Sequence, residues 1–449
     1  MCLAGYAPDS LYNNRRAPPP SRANPILMPA IPSSPTLARQ FALAVVTRLR
    51  AAGQEAFWAG GCVRDELLGR VPADFDVATS ALPEHVRILF GRHRTLTIGA
   101  AFGVVTVIGP PGAGHVEVTT FRTDADSSDG RRPSAVTFST ARDDAQRRDF
   151  TINGLFFDPI AGDVHDYVDG RADLAAGIIR AIGVPTLRFG EDHLRMLRAV
   201  RFAASFDFAI DTATEAAIVQ MAPLVASVSP ERIAAELRAM VSRPGRQRAL
   251  ELLEKTGLAT AALSELAPLD PAGTAAWRTA EIIVASLEQP NLSATLAILA
   301  ENAGREKLRQ IAKRLRLSNR EARTADWLAA AITELGGVAG EHLQSRQWSQ
   351  VQPWLADGNA ALLCDVLRAR ATGGRGSAEA AAWLRTQAAR PRDEIDPAPL
   401  VAGNDLLAAG IPAGKVMGAL LARLRALQLD AQLSTREQAI AWAQANRLP

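Results

Sequence analysis

The pattern of the chain changes sharply after about residue 165. Between residues 36 and 165, short β-rich runs such as "EAFWAGG", "FDVATS" and "HVEVTTFR" alternate with helical patterns and glycine or proline breaks. From about residue 186 onward, nearly every segment has the spacing of an amphipathic helix. The sequence therefore predicts an α+β protein, with a small mixed sheet near the N-terminus and an all-helical remainder.

Composition narrows the class of protein. A chain of 449 residues exceeds what one core usually supports, so we expect several domains. The three cysteines, Cys2, Cys62 and Cys364, are scattered without metal-ligand spacing, which favours a cytoplasmic protein without disulfides or structural zinc. No apolar run approaches ~18 residues, so no membrane association is expected. The net charge of +3 is too small to indicate a nucleic-acid partner by itself.

The stretch "ADFDVATS" carries two acids in a predicted strand. Strand periodicity places Asp74 and Asp76 on one face and Phe75 on the other. Two like charges side by side are unfavourable unless a cation lies between them. Glu117, flanked by valines in "HVEVTTFR", supplies a third carboxylate. Because Mg²⁺ binds carboxylates together with substrate phosphates, these acids predict Mg²⁺-dependent nucleotidyl transfer with Asp74 and Asp76 as metal ligands and Glu117 as a further catalytic acid.

A glycine pair lies upstream of this strand, between a predicted strand and a predicted helix. Gly60 and Gly61 let backbone amides approach a phosphate closely, and the helix N-terminus that follows favours anions. Arg64, in the first turn of that helix, adds a guanidinium for the same phosphate. The pattern predicts half of a nucleotide-binding site.

The segment "EDHLRMLRAVRF" repeats a charge every three residues. Asp192, Arg195, Arg198 and Arg201 would form one gradually winding face of a helix. A carboxylate beside a guanidinium matches the amino donor and ring-nitrogen acceptor of adenine and cytosine, and mismatches guanine and uracil. The pattern predicts selection of ATP and CTP without a template. The alternative is an ordinary surface salt bridge between Asp192 and Arg195.

Six blocks occur in a recognisable order: "GGCVRD" with "FDVATSALPEHV", then "SDGRRPSAVTF", "RRDFTINGLFFD", "DYVDGRADL", "EDHLRMLRAVRFAASF" and "SPERIAAEL". In these blocks the chain resembles the tRNA nucleotidyltransferase/poly(A) polymerase family, bacterial class II type, within the polymerase-β-like superfamily. The resemblance implies a polymerase-β-like head, and addition of C, C and A to tRNA 3′ ends. It also implies a nucleotide site formed by Gly61, Arg64, Arg148 (or its neighbour Arg147), Asp192, Arg195, Arg198 and Arg201.

The resemblance also suggests how the chain is divided. We expect a flexible segment at 123–136, where glycine, serine and charges have little apolar anchoring. The expected divisions are 1–35, a disordered extension or a start codon placed upstream of the true start; 36–165, the nucleotidyltransferase head; 166–240, a helical neck that reads the base; 241–388, a helical body; and 389–449, a helical tail.

The segment 305–323 concentrates positive charge, with eight Lys or Arg against two Glu. A solvated helix face is the ordinary explanation for such a segment. Because its excess of charge exceeds that of the whole chain, we expect contact with the tRNA acceptor arm and no protein partner. The candidate RNA-binding residues are Arg305, Lys307, Lys313, Arg314 and Arg316, and body and tail would both contribute to the grip.

Three alternatives stay open at this point. A poly(A) polymerase shares every block, but those enzymes have a basic "GRRF"-like stretch where this chain reads "IGAAFGVVTVI" at 98–108. An enzyme that adds only CC or only A would carry the same site. An RNA-binding protein with a silent head would need Asp74, Asp76 or Glu117 to be absent, and all three are present.

Overall fold

The computed structural model describes residues 36–97, 103–124, 136–268 and 270–446. The expected extension 1–35 and nearly all of the expected flexible segment 123–136 lie outside these ranges. The chain divides into two compact units, one formed by Met1–Phe121 with Ile152–Ala176 and the other by Arg122–Thr151 with Gly177–Pro449. Within the described ranges, no helix combines the length and apolarity needed to cross a membrane.

Helices dominate the chain after the first sheet. The helices are α1 Leu37–Ala51, α2 Gly61–Leu67, α3 Pro83–Phe90, α4 Ala141–Gln146, α5 Gly170–Ala176, α6 Pro185–Glu191, α7 Leu194–Phe206, α8 Thr212–Met221, α9 Pro230–Val241, α10 Arg246–Lys255, α11 Leu258–Ala262, α12 Pro271–Ala285, α13 Leu292–Leu299, α14 Arg305–Arg314, α15 Asn319–Leu335, α16 Gly340–Gln344, α17 Trp348–Ala356, α18 Ala360–Thr372, α19 Ala378–Ala388, α20 Arg392–Ile395, α21 Gly403–Ala408, α22 Lys415–Leu429 and α23 Arg436–Ala445.

Strands concentrate in the N-terminal part of the chain. They are β1 Ala56–Ala59, β2 Asp76–Thr79, β3 Thr95–Leu96, β4 Val104–Ile108, β5 His115–Thr120, β6 Arg122–Asp124, β7 Val136–Phe138, β8 Leu155–Asp158, β9 Asp163–Asp166, β10 Ile178–Ile179 and β11 Ala209–Ile210.

The first unit is built on one seven-stranded sheet of order β3-β4-β5-β2-β1-β8-β9. Strands β2 and β5 are parallel, and the other neighbouring strands of this sheet pair antiparallel. The predicted mixed sheet is therefore confirmed. Residues alternate between the two faces of β4 and β5, and Val105, Val107, Val116 and Val118 are buried on one face. Helix α1 buries its apolar stripe against β1, β2 and β5.

Among its described residues, the second unit is mainly helical and has two short strand pairs, β6–β7 and β10–β11. Helix α7 packs against α9 and α10 and buries Met196, Leu197 and Val200 completely. Gly245 begins α10 with φ +82°, and a Cβ there would collide with the backbone carbonyl of Ala204 in α7. The close approach of α7 and α10 therefore requires glycine at this position.

The final helices α21, α22 and α23 enclose a hydrophobic cluster of their own. Its buried members include Leu406, Leu424, Leu427 and Ala443. A capping box between Thr435 and the third residue of α23 stabilises the N-terminus of this helix. It pairs backbone amides that the helix itself leaves without a partner. The packing gives this segment a core within the helical remainder that the sequence predicted.

Two local predictions differ from the structure. Asp74 precedes β2, which begins at Asp76, so only one of the two aspartates is a strand residue. Asp192 lies between α6 and α7 with an extended backbone, φ −155° and ψ 103°, and does not belong to the helical face that carries Arg195. The N-cap of α7 is His193, and the Asp192 carboxylate, one residue further upstream, accepts the amide of Leu194.

Candidate active site

One face of the first unit's sheet carries two acids in register. Asp76 on β2 and Glu117 on β5 are directly paired across the parallel ladder. Residues paired in this way project to the same face of the sheet. Glu117 is exposed. Phe75 and Val77, which flank Asp76 in the sequence, are buried on the opposite side of the sheet, as the alternation predicted. Asp74 is exposed just before the strand begins.

This arrangement is compatible with a metal ion whose coordination shell is completed by the substrate. In the four described ranges, no three or more His, Cys, Asp or Glu side chains form a group able to hold a metal ion. Mg²⁺ usually takes only one or two carboxylates from the protein and completes its shell with phosphate oxygens and water. The oxygen ligands of Asp74, Asp76 and Glu117 are of the type that this ion prefers.

The glycine turn lies next to these acids in the same unit. Gly60 ends β1 with φ 75° and ψ −124°, a conformation that favours glycine, and its amide donates to the carbonyl of Leu155. Cys62 links the turn to β2, because its thiol lies 3.4 Å from the Ala59 carbonyl and 3.8 Å from the Asp76 carbonyl. Burial, reinforced by the Asp76 charge, raises the pKa of Cys62 to about 12, so the thiol stays protonated.

Arg64 follows this turn and is almost completely buried. Its Nη1 donates to Oδ1 of Asn153 over 2.6 Å, and its Nε donates to Oδ1 of Asp65 over 2.9 Å. The guanidinium is therefore held in one orientation by two side chains of the same unit. Sequence reasoning did not identify Asn153, although it lies inside the quoted block "RRDFTINGLFFD".

The second unit contains the remaining predicted nucleotide-binding residues. The carboxylate of Asp192 is bound by Arg232 of α9, with Nη1 to Oδ1 at 3.2 Å and Nη2 to Oδ2 at 2.7 Å. Arg195 pairs with Glu191 over 2.5 Å and donates to the carbonyls of Arg188 and Arg147. The surface salt bridge considered between Asp192 and Arg195 is therefore absent, since each side chain has another partner.

Further along α7, Arg198 and Arg201 are also held by acids. Arg198 donates through Nε to Asp149 over 2.7 Å, and Arg201 donates through Nε to Glu236 over 2.6 Å. Both guanidinium groups lie over the ring of Phe202, at 5.2 Å and 4.2 Å from its centroid. The charge of Asp149 raises the pKa of Arg198, whereas burial lowers the pKa of Arg201.

The uncertainty between Arg147 and Arg148 has a structural explanation. Both grip the fully buried Asp144 of α4, Arg147 on Oδ1 and Arg148 on Oδ2. Burial raises the pKa of Asp144, but the charges of Arg148 and Arg147 outweigh it and the net pKa is lowered. One carboxylate therefore orients two neighbouring guanidinium groups.

The basic segment 305–323 divides into paired and unpaired cations. Arg314 binds Glu265 through two bonds, and Arg316 pairs with Glu231 over 2.6 Å. Lys307 and Lys313 are exposed on α14 and form no salt bridge with any described residue. The positive charge that sequence counting placed along the whole segment is thus partly neutralised by acids from elsewhere in the chain.

Arg305 belongs to a cleft of about 950 Å³ between α14 and α15. Arg305 and Arg309 share Asp326, which leaves this group with a net positive charge. The wall of the cleft also includes the polar or aromatic residues Arg320, Arg323, Trp327, Asn319, Asp357 and Asn359. A cationic cleft that includes a partly buried tryptophan has the composition of a site for a nucleic-acid backbone and a stacked base.

Comparison with known proteins places these features in one family. Residues 56–180 match the model of the Poly A polymerase head domain, 207–269 the probable RNA and SrmB-binding site of polymerase A, and 288–443 tRNA nucleotidyltransferase domain 2. A CCA-adding enzyme of Geobacillus stearothermophilus is 37% identical over 338 residues, which cover 74% of this chain and 78% of that protein. The chain belongs to the CCA-adding enzyme family.

Other members of the CCA-adding enzyme family support the same assignment. The CCA-adding enzyme of Enterococcus faecalis is 36% identical over 327 residues, which cover 69% of this chain and 78% of that protein. The crystal structure of the Bacillus stearothermophilus CCA-adding enzyme in complex with CTP superposes with a TM-score of 0.73 at 30% identity, covering 91% of this chain and 97% of that one. The predicted family, with its polymerase-β-like head and helical remainder, is confirmed.

The sequence analysis did not identify the acids and the arginine that form ion pairs with the predicted nucleotide-binding side chains. Their positions were visible, because each lies in or beside a quoted block. Their partnerships were not, since most join residues far apart in the chain. The missed residues are Asp144, Asp149, Glu191, Arg232 and Glu236.

Proposed function

We propose that the protein transfers nucleotides from CTP and ATP to the 3′ end of tRNA, building or repairing the CCA end and releasing pyrophosphate. The observation that carries the chemical step is the in-register pair of acids, Asp76 and Glu117, on one face of the sheet. Membership of the CCA-adding enzyme family supports tRNA as the acceptor, and the compartment proposed for this activity is the cytoplasm.

In the first unit, Asp74 and Asp76 would hold Mg²⁺, and Glu117 would complete the acidic face. The ion, when bound, lowers the pKa of the attacking 3′-hydroxyl and stabilises the leaving pyrophosphate. The Gly60–Gly61 turn presents backbone amides where no side chain obstructs a phosphate. Because Arg64 is held rigidly by Asn153 and Asp65, it meets the triphosphate with little loss of side-chain entropy.

In the second unit, the side chains divide between base and phosphate. Asp192 offers a carboxylate acceptor for the exocyclic amine of cytosine or adenine, and Arg195 offers donors for the ring nitrogen. The contacts of Arg195 described above use Nη1 and Nη2, which leaves its Nε–H for a base. Arg148, Arg198 and Arg201 supply positive charge for the nucleotide.

Uracil and guanine present the opposite pattern to this pair. Their carbonyl oxygen would face the Asp192 carboxylate and their ring N–H would face Arg195, so both contacts would be unfavourable. Each unpaired group costs roughly 1–3 kcal/mol, which is enough to exclude UTP and GTP at comparable concentrations. This argument also accounts for selection of two nucleotides rather than one.

The helical remainder of the protein would bind the sugar–phosphate backbone of the tRNA. Lys307 and Lys313 are the exposed, unpaired cations of α14, and the cleft beside them adds Arg305 with the other arginines of its wall. We expect smaller contributions from Arg314 and Arg316, because their acid partners already neutralise them. The proposed division is head 36–165, neck 166–240, body 241–388 and tail 389–449.

The test is incubation of the purified protein with tRNA lacking its last three nucleotides, Mg²⁺ and each labelled triphosphate in turn. Incorporation of two C and then one A supports the proposal. Long A tracts would instead identify a poly(A) polymerase, and incorporation that stops after CC, or requires a CC end, would identify a restricted enzyme. Binding of tRNA without any incorporation would leave an RNA-binding protein.

A further inference from the structure

The carboxylate proposed to read the base is held from two sides in the second unit. The backbone amide of Leu194 donates to Oδ1 of Asp192 over 3.1 Å. Arg232, forty residues away in the chain, donates to Oδ1 over 3.2 Å and to Oδ2 over 2.7 Å. This fork is the end-on geometry that a guanidinium makes with a carboxylate. The Asp192 side chain remains 22% exposed.

The hydrogen-bonding capacity of Asp192 can be counted from these contacts. An ionised carboxylate offers about four lone-pair positions, two on each oxygen. The amide of Leu194 and Nη1 of Arg232 occupy both positions on Oδ1, and Nη2 of Arg232 occupies one on Oδ2. One acceptor position on Oδ2 therefore remains. A cytosine or adenine amine needs one acceptor.

We propose that Arg232 is a positioning residue for base selection, because it orients the Asp192 carboxylate so that a single acceptor on Oδ2 faces the nucleotide. The inference rests on the proposed function, in which Asp192 reads the base. It concerns a residue of α9 that does not itself touch the nucleotide in this scheme.

The amide of Leu194 cannot impose this orientation alone. The terminal torsion of an aspartate is soft, and one hydrogen bond to one oxygen leaves the carboxylate plane free to turn. A two-point contact through both oxygens fixes the plane. Without Arg232, the carboxylate would meet the amine of cytosine or adenine less often, and it could turn away from the carbonyl of uracil or guanine.

The test variant is Arg232→Gln, and α9 provides a matched control. Arg238 lies on the same helix, is 42% exposed against 41% for Arg232, and makes a similar two-bond contact with Glu321 at 2.8 and 3.2 Å. Arg238→Gln therefore removes an equivalent ion pair without touching Asp192. Both variants are assayed on tRNA lacking its CCA end, with kcat and KM measured for each of the four triphosphates.

We expect Arg232→Gln to reduce selectivity for CTP and ATP over UTP and GTP by about tenfold, chiefly through a higher KM for CTP and ATP. Arg238→Gln should retain the selectivity of the unaltered protein. Arg232→Lys, which restores one of the two bonds, should recover part of it. Equal selectivity in Arg232→Gln and Arg238→Gln would overturn the inference.

A third variant separates this inference from the proposed function. Asp192→Ala removes the base-reading carboxylate itself and should reduce selectivity at least as strongly as Arg232→Gln. If Asp192→Ala loses selectivity and Arg232→Gln does not, the positioning role is wrong and base reading stands. If Asp192→Ala keeps full selectivity, base reading by this residue is wrong, and the role of Arg232 falls with it.

Discussion

Asp76 and Glu117 are register partners on the parallel strands β2 and β5, so their carboxylates leave neighbouring strands on the same face of the sheet. Such a pair is unfavourable without a counter-charge. A cation bound there with a substrate phosphate would provide relief from the mutual repulsion of two acids placed in this way. In a protein of the CCA-adding enzyme family, that relief coincides with the step proposed for catalysis.

Loss of Asp74 should separate chemistry from binding. We expect Asp74→Ala to lower nucleotide incorporation by at least about a hundredfold, because a proposed ligand of the Mg²⁺ ion, whose charge would stabilise the transition state, is removed. Binding of tRNA, measured by gel shift, should change little. Asp163→Ala, which removes an exposed aspartate on β9 of the same sheet, should keep its activity. Loss of tRNA binding in Asp74→Ala would contradict the assigned role.

Arg195 should determine which bases are accepted. Arg195→Ala removes the donor opposed to the ring nitrogen of cytosine and adenine, and roughly tenfold of the preference over UTP and GTP should be lost. The measurement is kcat/KM for the four triphosphates on tRNA lacking its CCA end. Glu191→Gln, which removes the acid partner but leaves the guanidinium, should have a smaller effect. Unchanged selectivity in Arg195→Ala would show that this residue does not read bases.

If the cleft between α14 and α15 binds tRNA, removing a positive charge and removing a negative charge there should change the tRNA affinity in opposite directions. Arg320→Ala should weaken tRNA binding and lower the slope of log affinity against log salt by about one. Asp357→Asn removes a negative charge from the same cleft while keeping a side chain of similar shape, and it should strengthen binding. The measurement is a salt titration of tRNA affinity. Equal effects of the two variants would show that the cleft does not contact phosphates.

A buried glutamate of α12 should make stability depend on pH. Burial, followed by the nearby charges of Glu251 and Glu254, raises the pKa of Glu281 to about 7 in the folded protein, from 4.5. The folded state then favours the protonated acid. The stabilising contribution is complete below about pH 4.5 and is lost as the pH rises through about 7.

The test of this titration is thermal unfolding of Glu281→Gln at two pH values. The variant should melt a few degrees above the unaltered protein at pH 8, and close to it at pH 5, because the glutamine mimics the neutral acid. Glu306→Gln, on the exposed side of α14, should show no such difference. An equal shift at both pH values would mean that Glu281 does not titrate in this range.

Sequence patterns predicted the sheet and its acids because those features are local. Alternation of apolar and polar residues depends only on strand geometry, so the faces of Phe75, Asp76 and Glu117 could be read directly. The start of α7 could not be placed as well. Three-residue spacing suggested that Asp192 was helical, but it lies outside α7, one residue before the N-cap His193, and spacing alone does not locate a helix boundary.

Partnerships between charges were the least predictable feature. Arg314 and Arg316 were counted as free cations, yet their acid partners lie 49 and 85 residues away in the chain. A count of charges along one segment cannot include acids that only the tertiary structure brings near. The acid partner of Arg195 was missed for a different reason, because Glu191 and Asp192 are neighbours and only the helix boundary decides which of them faces Arg195.

The close passage of α10 over α7 at Gly245 limits how the chain can evolve. Side chains elsewhere between these helices can drift in compensating pairs, larger against smaller. Position 245 has no such freedom, since one added carbon would collide with backbone atoms of Ala204. A substitution at position 204 changes the side chain there and leaves those backbone atoms in place. Because α7 carries Arg198 and Arg201, a single methyl group at position 245 would displace the two charges that are proposed to contact the nucleotide.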